Sequence, residues 1–239
     1  KAAVDHFEFG SQGSSTEAHR LMQRNQPIFR ESHAAALAIR HLPNDPHNIL
    51  AARSAVSGQR RLLVIDDNIP LPEFGSGFPR TQRLLNEAVA LGWLVTFYPL
   101  HVFDVDWTQA YGSLDPRIEI CARRALPKLR SFLEERRGFY DVIVVSRPHN
   151  MRHLRALLHE QPDLLADTRL VYDAEALYAA RDLLLRAAQG QPLGEDEARN
   201  LFNEEISLTE GVHSVLTVGT NEAALFLARQ SAPVHILSH

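Results

Sequence analysis

Residues able to do acid–base, polar or anion-binding chemistry gather in short runs, each directly after an apolar, β-branched stretch. Asp66 and Asp67 close the run LLVIDD and open a loop in which Gly75, Ser76 and Gly77 precede Pro79 and Arg80. Small residues let backbone amides approach an anion, and a helix start adds partial positive charge, so this loop can cradle phosphate or close against a sugar. Equally, it can be a flexible turn. It matches neither GxGxxG nor the phosphate loop that ends in Gly-Lys-Ser or Gly-Lys-Thr. Arg147, Pro148 and His149 follow DVIVVS. A guanidinium suits bidentate binding of phosphate or carboxylate, and an imidazole can donate to a sugar hydroxyl or move a proton near neutral pH. The alternative is an Arg147 paired with a carboxylate and a His149 that caps a helix. Asp173, Ala174 and Glu175 follow TRLVY. Carboxylates there can bind sugar hydroxyls, act as acid or base, or hold a metal, while Asp173 can also serve as a helix N-cap and Glu175 as a first-turn charge. Gly219 to Glu222, after SVLTV, reads chiefly as a helix start capped by Thr220.

Other candidates are weaker. His19, His33, His41, His47 and His153 are scattered without metal-ligand spacing. Trp93 begins a buried strand and reads as core. Trp107, in the polar loop DVDWTQAYG, is the better placed of the two tryptophans to stack on a sugar.

The elements that must carry these residues alternate. Strands are expected at Leu62–Asp66, Trp93–Tyr98, Asp141–Ser146, Thr168–Tyr172, Ser214–Val218 and Val234–Leu237. Helices are expected at Thr81–Leu91, Pro127–Arg137, Leu154–His159, Ala174–Ala188, Glu195–Thr209 and Asn221–Arg229. Buried strands separated by amphipathic helices give an α/β, Rossmann-like, doubly wound parallel sheet, because each crossover helix buries its apolar stripe on the sheet. Ligands then bind at the carboxyl ends of the strands, where the polar runs lie. Residues 1–42 form a mostly helical extension with Pro27 as an interruption, 43–59 a linker rich in turn formers, and 60–239 the α/β domain.

With 239 residues, 45% apolar and 23% charged, the composition is that of a globular chain with one sizeable core and an appendage. A net charge of -4 gives no attraction to nucleic acid. The single cysteine, Cys121, allows no internal disulfide, and a reducing, cytoplasmic compartment fits best. No stretch is long and apolar enough for a membrane span, and residues 1–10 lack a signal-peptide core. The sequence does not begin with Met and is read as a fragment or processed product, so an anchor elsewhere would place it peripherally at the inner membrane.

Taken together, RRLLVIDDNIPLPEFGSGFPRTQRLLNEAVALGWLVTFYP, FYDVIVVSRPH and RLVYDAEALYAARD resemble the N-terminal domain of family-four GT-B glycosyltransferases, especially bacterial polysaccharide-assembly enzymes. The resemblance implies a half-enzyme that receives a glycan or lipid-linked acceptor, while a C-terminal half, beyond this chain, grips the nucleotide-sugar donor. It also implies a retaining outcome and no cofactor held by this chain. It places Gly75, Ser76, Gly77 and Arg80 in the cleft loop, Arg147 and His149 near the transferred sugar, and Asp173 and Glu175 in acceptor or architectural roles. The opening DHFEFGSQGSS resembles the C-terminal end of a family-two GT-A glycosyltransferase, which implies that His6 would ligate a divalent metal in an intact preceding domain. The arginine usual after that motif is absent.

Two other readings remain open on the residues. LLVIDD is similar to the acidic strand end of signalling receiver domains, but the lysine expected at a later strand end is missing. A non-catalytic Rossmann-like module that binds carbohydrate or a partner protein is the second.

Overall fold

A computed structural model describes residues 14–40 (the backbone alone at 39 and 40), 58–71, 73, 75, 77–101 and 105–238. The chain divides into two units, residues 1–58 and 59–239. His6 and Ser76 lie outside the described residues, as does most of the expected linker.

In the first unit, α1 spans Ser15–Ser32 and α2 spans Ala34–Arg40. Ser14 caps α1 by accepting the Glu17 amide at 3.3 Å. Pro27 was expected to interrupt this helix, yet α1 runs through it and ends at His33. Proline removes one backbone donor, and the remaining hydrogen bonds of the long helix outweigh that loss.

The second unit is built on seven parallel strands: β1 (Arg61–Asp66), β2 (Leu94–Pro99), β3 (Glu119–Ile120), β4 (Val142–Ser146), β5 (Arg169–Glu175), β6 (Ser214–Thr217) and β7 (Val234–Ile236). Between them run α3 (Phe78–Ala90), α4 (Trp107–Ser113), α5 (Leu129–Glu135), α6 (Pro148–Glu160), α7 (Tyr178–Ala188), α8 (Glu195–Ser207) and α9 (Thr220–Leu227). The order is β3-β2-β1-β4-β5-β6-β7. It reverses between β1 and β4, which pair directly with Val64 opposite Val144, and a crevice opens where the crossovers diverge.

Strand alternation separates two cores. Leu63 and Ile65 face Phe132, Met151, Leu154 and Phe226 on one side of the sheet. Leu62 and Val64 face Leu85, Val89 and Phe97 on the other. Gly92, at φ +85°, follows α3 as a left-handed stop, a conformation a β-carbon disfavours.

Several expected boundaries shift. α6 begins at Pro148, a full turn and more before Leu154, because proline is well suited to the first helical position. β5 continues to Glu175 through a register shift between Asp173 and Glu175, and α7 starts only at Tyr178. Asp173 is therefore a strand residue, not a helix cap. Thr220 is the first residue of α9, with Gly219 before it as cap. The segment 107–113, expected as a loop, is helical because Asp106 accepts the amides of Thr108 and Gln109 at 2.9 and 3.1 Å.

Candidate functional site

The carboxyl ends of β1, β4 and β5 bring Asp66, Asp67, Arg147, His149, Asn150, Asp173 and Glu175 together, with α3 and α7 supplying Arg80 and Tyr178. Arg147 stands at the centre. Its Nε donates to Asp66 Oδ1 at 2.8 Å and lies 3.4 Å from Asp67, while Nη1 reaches the Tyr178 hydroxyl at 3.2 Å and Glu175 at 3.4 Å. The guanidinium also covers the Phe78 ring at 5.0 Å. Arg147 and Glu175 both adopt positive φ, +75° and +57°, conformations that cost non-glycine residues about 1–3 kcal/mol and are held here by surrounding contacts.

Asp66 is fully buried, and that burial pushes its carboxyl up to about 6 against the pull of Arg147. Asp67 behaves oppositely. Burial raises it, but hydrogen bonds from His149 and Asn150, with the charges of His149 and Arg147, outweigh burial and hold it below the usual carboxylate range. For Arg147, desolvation works against the charge, yet Asp66 and Glu175 more than compensate and raise it. Burial likewise raises the Tyr178 phenol, with Arg147 pulling it back.

The Asp67–His149 pair is the part of the site open to solvent. Asp67 Oδ1 accepts from His149 Nε2 at 2.7 Å and from Asn150 Nδ2 at 2.8 Å. The His149 side chain is 42% exposed. With Asp67 as the acceptor, Nε2 is the donor, and in the neutral ring Nδ1 is then the nitrogen that can accept a hydrogen bond from a ligand hydroxyl. Asn150 also donates to the Ser146 carbonyl at 2.9 Å, which locks Asp67 from behind.

Arg80 and Asp173 are held lower. Arg80 Nη1 and Nη2 donate to the two Asp173 oxygens at 2.7 and 2.8 Å, and Nε donates to the Leu237 carbonyl at 2.7 Å. Both side chains are 2% exposed, so this bidentate pair ties α3, β5 and the segment after β7 together. Gly77 serves Glu175. A β-carbon at Gly77 would lie 1.6 Å from Glu175 Oε1, so only glycine lets the carboxylate settle at the start of α3, where backbone partial charge favours an anion. Gly75, at φ +142°, turns the chain just before it.

Among the sequence candidates, Arg147, His149, Glu175 and Gly77 thus share one surface, Arg80 and Asp173 form its buried support, and Gly75 lies in the adjoining loop. Asn150, Tyr178 and Glu205 escape sequence reading. Glu205, on α8, is 2% exposed and accepts the amides of Tyr178 and Ala179 at 3.0 and 2.6 Å, capping α7 from a distance. Burial raises its carboxyl, partly offset by those two amides.

Four carboxylates against two guanidinium groups leave the cluster negative. Such an environment disfavours a phosphate and suits hydroxyls, which donate to carboxylates. Among the described residues, no group of three or more His, Cys, Asp or Glu side chains could hold a metal ion. A cavity of about 410 Å³ lies at the opposite, amino ends of the strands, lined by Arg60, Trp93 and Arg169 among others. Its Asp141 is already engaged by the Arg61 amide at 2.7 Å.

No protein-family model matches the sequence, and no curated protein matches it. Solved structures do. Sucrose-phosphate synthase from Thermosynechococcus elongatus aligns with a TM-score of 0.50 at 15% identity, over 75% of this chain and 48% of that one. Phytolacca americana UGT2, solved with UDP-2fluoro-glucose and pterostilbene, gives 0.49 at 9% identity, over 75% of this chain and 53% of that one. A short-chain dehydrogenase/reductase from Veillonella parvula gives 0.35 at 10% identity. The likeness establishes the fold, a Rossmann-like parallel sheet matching GT-B glycosyltransferase structures. The chain spans about half the length of the first two. Among the described residues, no helix is long and apolar enough to cross a membrane.

Proposed function

We propose that this chain is the acceptor-side half of a GT-B glycosyltransferase that moves a sugar from a nucleotide-sugar donor to a glycan or lipid-linked acceptor. The observation that carries this reading is the Asp67–His149 pair at the sheet's switch point, fixed from below and exposed above. His149 Nδ1 is suited to accept a hydrogen bond from the acceptor hydroxyl and so to orient it beside the transferred sugar. Glu175 and Tyr178 offer further polar contacts beside it. The negative balance of the cluster favours a hydroxyl-rich acceptor here and supports a donor diphosphate held by a second half.

The finer reading follows the sequence resemblance: bacterial surface polysaccharide assembly at the cytoplasmic face of the inner membrane, retention of anomeric configuration, and a preceding GT-A domain in which His6 meets a divalent metal. The chain spans about half of the sucrose-phosphate synthase structure it matches, which favours binding without transfer when it acts alone.

The test is a transfer assay with radiolabelled nucleotide sugars on this chain and on the longer protein that contains it. Transfer by the longer protein only is the expected result. No transfer by the longer protein with any donor overturns the enzymatic reading, and transfer by this chain alone overturns the division of labour.

A further inference from the structure

Trp107 and Tyr111 lie one helical turn apart on α4, are 42% and 37% exposed, and hold their rings near-parallel, 20° between planes with centroids 6.0 Å apart. The arrangement is fixed by its surroundings. Asp106 caps the helix at both the Thr108 and Gln109 amides, the Tyr111 hydroxyl donates to the Ile118 carbonyl at 3.2 Å, and Ala110 is buried beneath. The Gln109 side chain donates to Glu73 in the loop that follows β1, the same loop that begins at Asp67. Next to it, the His101 amide donates to the Asp67 carbonyl at 2.9 Å, so the chain leading into α4 starts from the candidate site.

Two exposed aromatics held side by side at the ligand edge of a sheet can receive an occupant, and the setting favours one. Among the described residues, Asp106, Thr108, Gln109 and Gly112 around the pair are exposed, so the described apolar area there is that of the two rings. That is far below the ~800 Å² per partner of a stable protein interface and too small and too acidic for an anionic lipid surface. A pyranose ring offers a flat array of C–H groups for the ring faces and rim hydroxyls for Glu73, Gln109 and Asp106. We infer that Trp107 and Tyr111 form a stacking platform for a neutral hexopyranose unit of an extended acceptor, one or more residues away from the unit that receives the transferred sugar. The last clause rests on the transferase reading; the platform itself does not.

Trp107 is one of two tryptophans, so a Trp93→Phe variant makes it the only indole reporter. Its emission is titrated with maltotetraose, cellotetraose, laminaritetraose and chitotetraose. A saturable shift with at least one, weakened about 5-fold or more by Tyr111→Ala, is expected. A flat response to all four, or a response to anionic phosphatidylglycerol vesicles in place of sugars, overturns the platform. In the longer protein, Trp107→Ala should raise KM for a tetrasaccharide acceptor about 5-fold while leaving kcat and monosaccharide KM unchanged. Saturable titration without transfer by the longer protein sinks the transferase reading and leaves the platform standing. Transfer with a flat titration and an unmoved tetrasaccharide KM does the reverse.

Discussion

Replacing Gly77 by Ala should disturb the site through a single displaced carboxylate. The added methyl would sit 1.6 Å from Glu175 Oε1, whereas a carbon and an oxygen in ordinary contact approach no closer than about 3.3 Å, so the carboxylate must retreat by about 1.7 Å. Gly77 has right-handed helical backbone angles, φ -76° and ψ -27°, so alanine meets no backbone strain there. The cost therefore divides in two. Exchanging a glycine for an alanine cap costs up to about 1 kcal/mol, and forcing Glu175 away from Arg147 and the start of α3 costs about 1–2 kcal/mol more. In a Glu175→Ala background the methyl has room, and only the first part should remain. Urea denaturation of this chain and its Gly77→Ala, Glu175→Ala and double variants measures the coupling, expected at about 1–2 kcal/mol. Additive effects, with coupling below about 0.5 kcal/mol, would refute the claim that glycine is there to seat the carboxylate.

Arg80→Ala should destabilise the fold by about 3–5 kcal/mol, because Asp173 would be left buried and unpaired; Arg80→Met with Asp173→Leu should recover most of that, and a failure of the double variant to do so in thermal melts counts against the pair as a purely supporting element. Stability should depend on pH through Asp66. Its folded value, raised from 3.8 to about 6, means that the folded state binds the proton more tightly, so this contribution is complete below about pH 4 and lost as pH rises through 6. From pH 7 to 5, wild type should gain about 1 kcal/mol relative to Asp66→Asn in denaturant titrations, and parallel profiles would contradict the burial argument.

The sheet was legible because its strands are buried on both faces: LLVID, LVTFY, VIVVS and SVLTV read as continuous apolar runs between helical stretches. β3 has only two residues and gives no periodic signal. Helix α4 left a signal that sequence reading passed over, the Asp106 cap ahead of Trp107. Likewise Pro148, ahead of the helix expected from Leu154, marks the start of α6. The site was half legible. Position after a strand singled out Arg147, His149 and Glu175, and all three share the surface. Nothing local joins Arg80 to Asp173, which are 93 residues apart, or makes Glu205 on α8 the cap of α7; only the crossovers create those contacts. The acidic pair Asp66–Asp67 was visible from the start, but its roles differ by burial, one residue beneath Arg147 and the next holding His149 at the surface. Arg147→Ala carries a stability cost because it strips Asp66 of its partner.

His149 gives the cleaner test, since its side chain is 42% exposed and its loss leaves Asp67 still bonded to Asn150. Steady-state transfer by the longer protein, wild type against His149→Ala, measured over acceptor concentration at saturating donor, probes the claim that this edge orients the acceptor hydroxyl. A fall in kcat/KM for acceptor of about 10- to 100-fold is expected, with thermal stability and nucleotide-sugar affinity unchanged. An unchanged kcat/KM in a folded variant would contradict it.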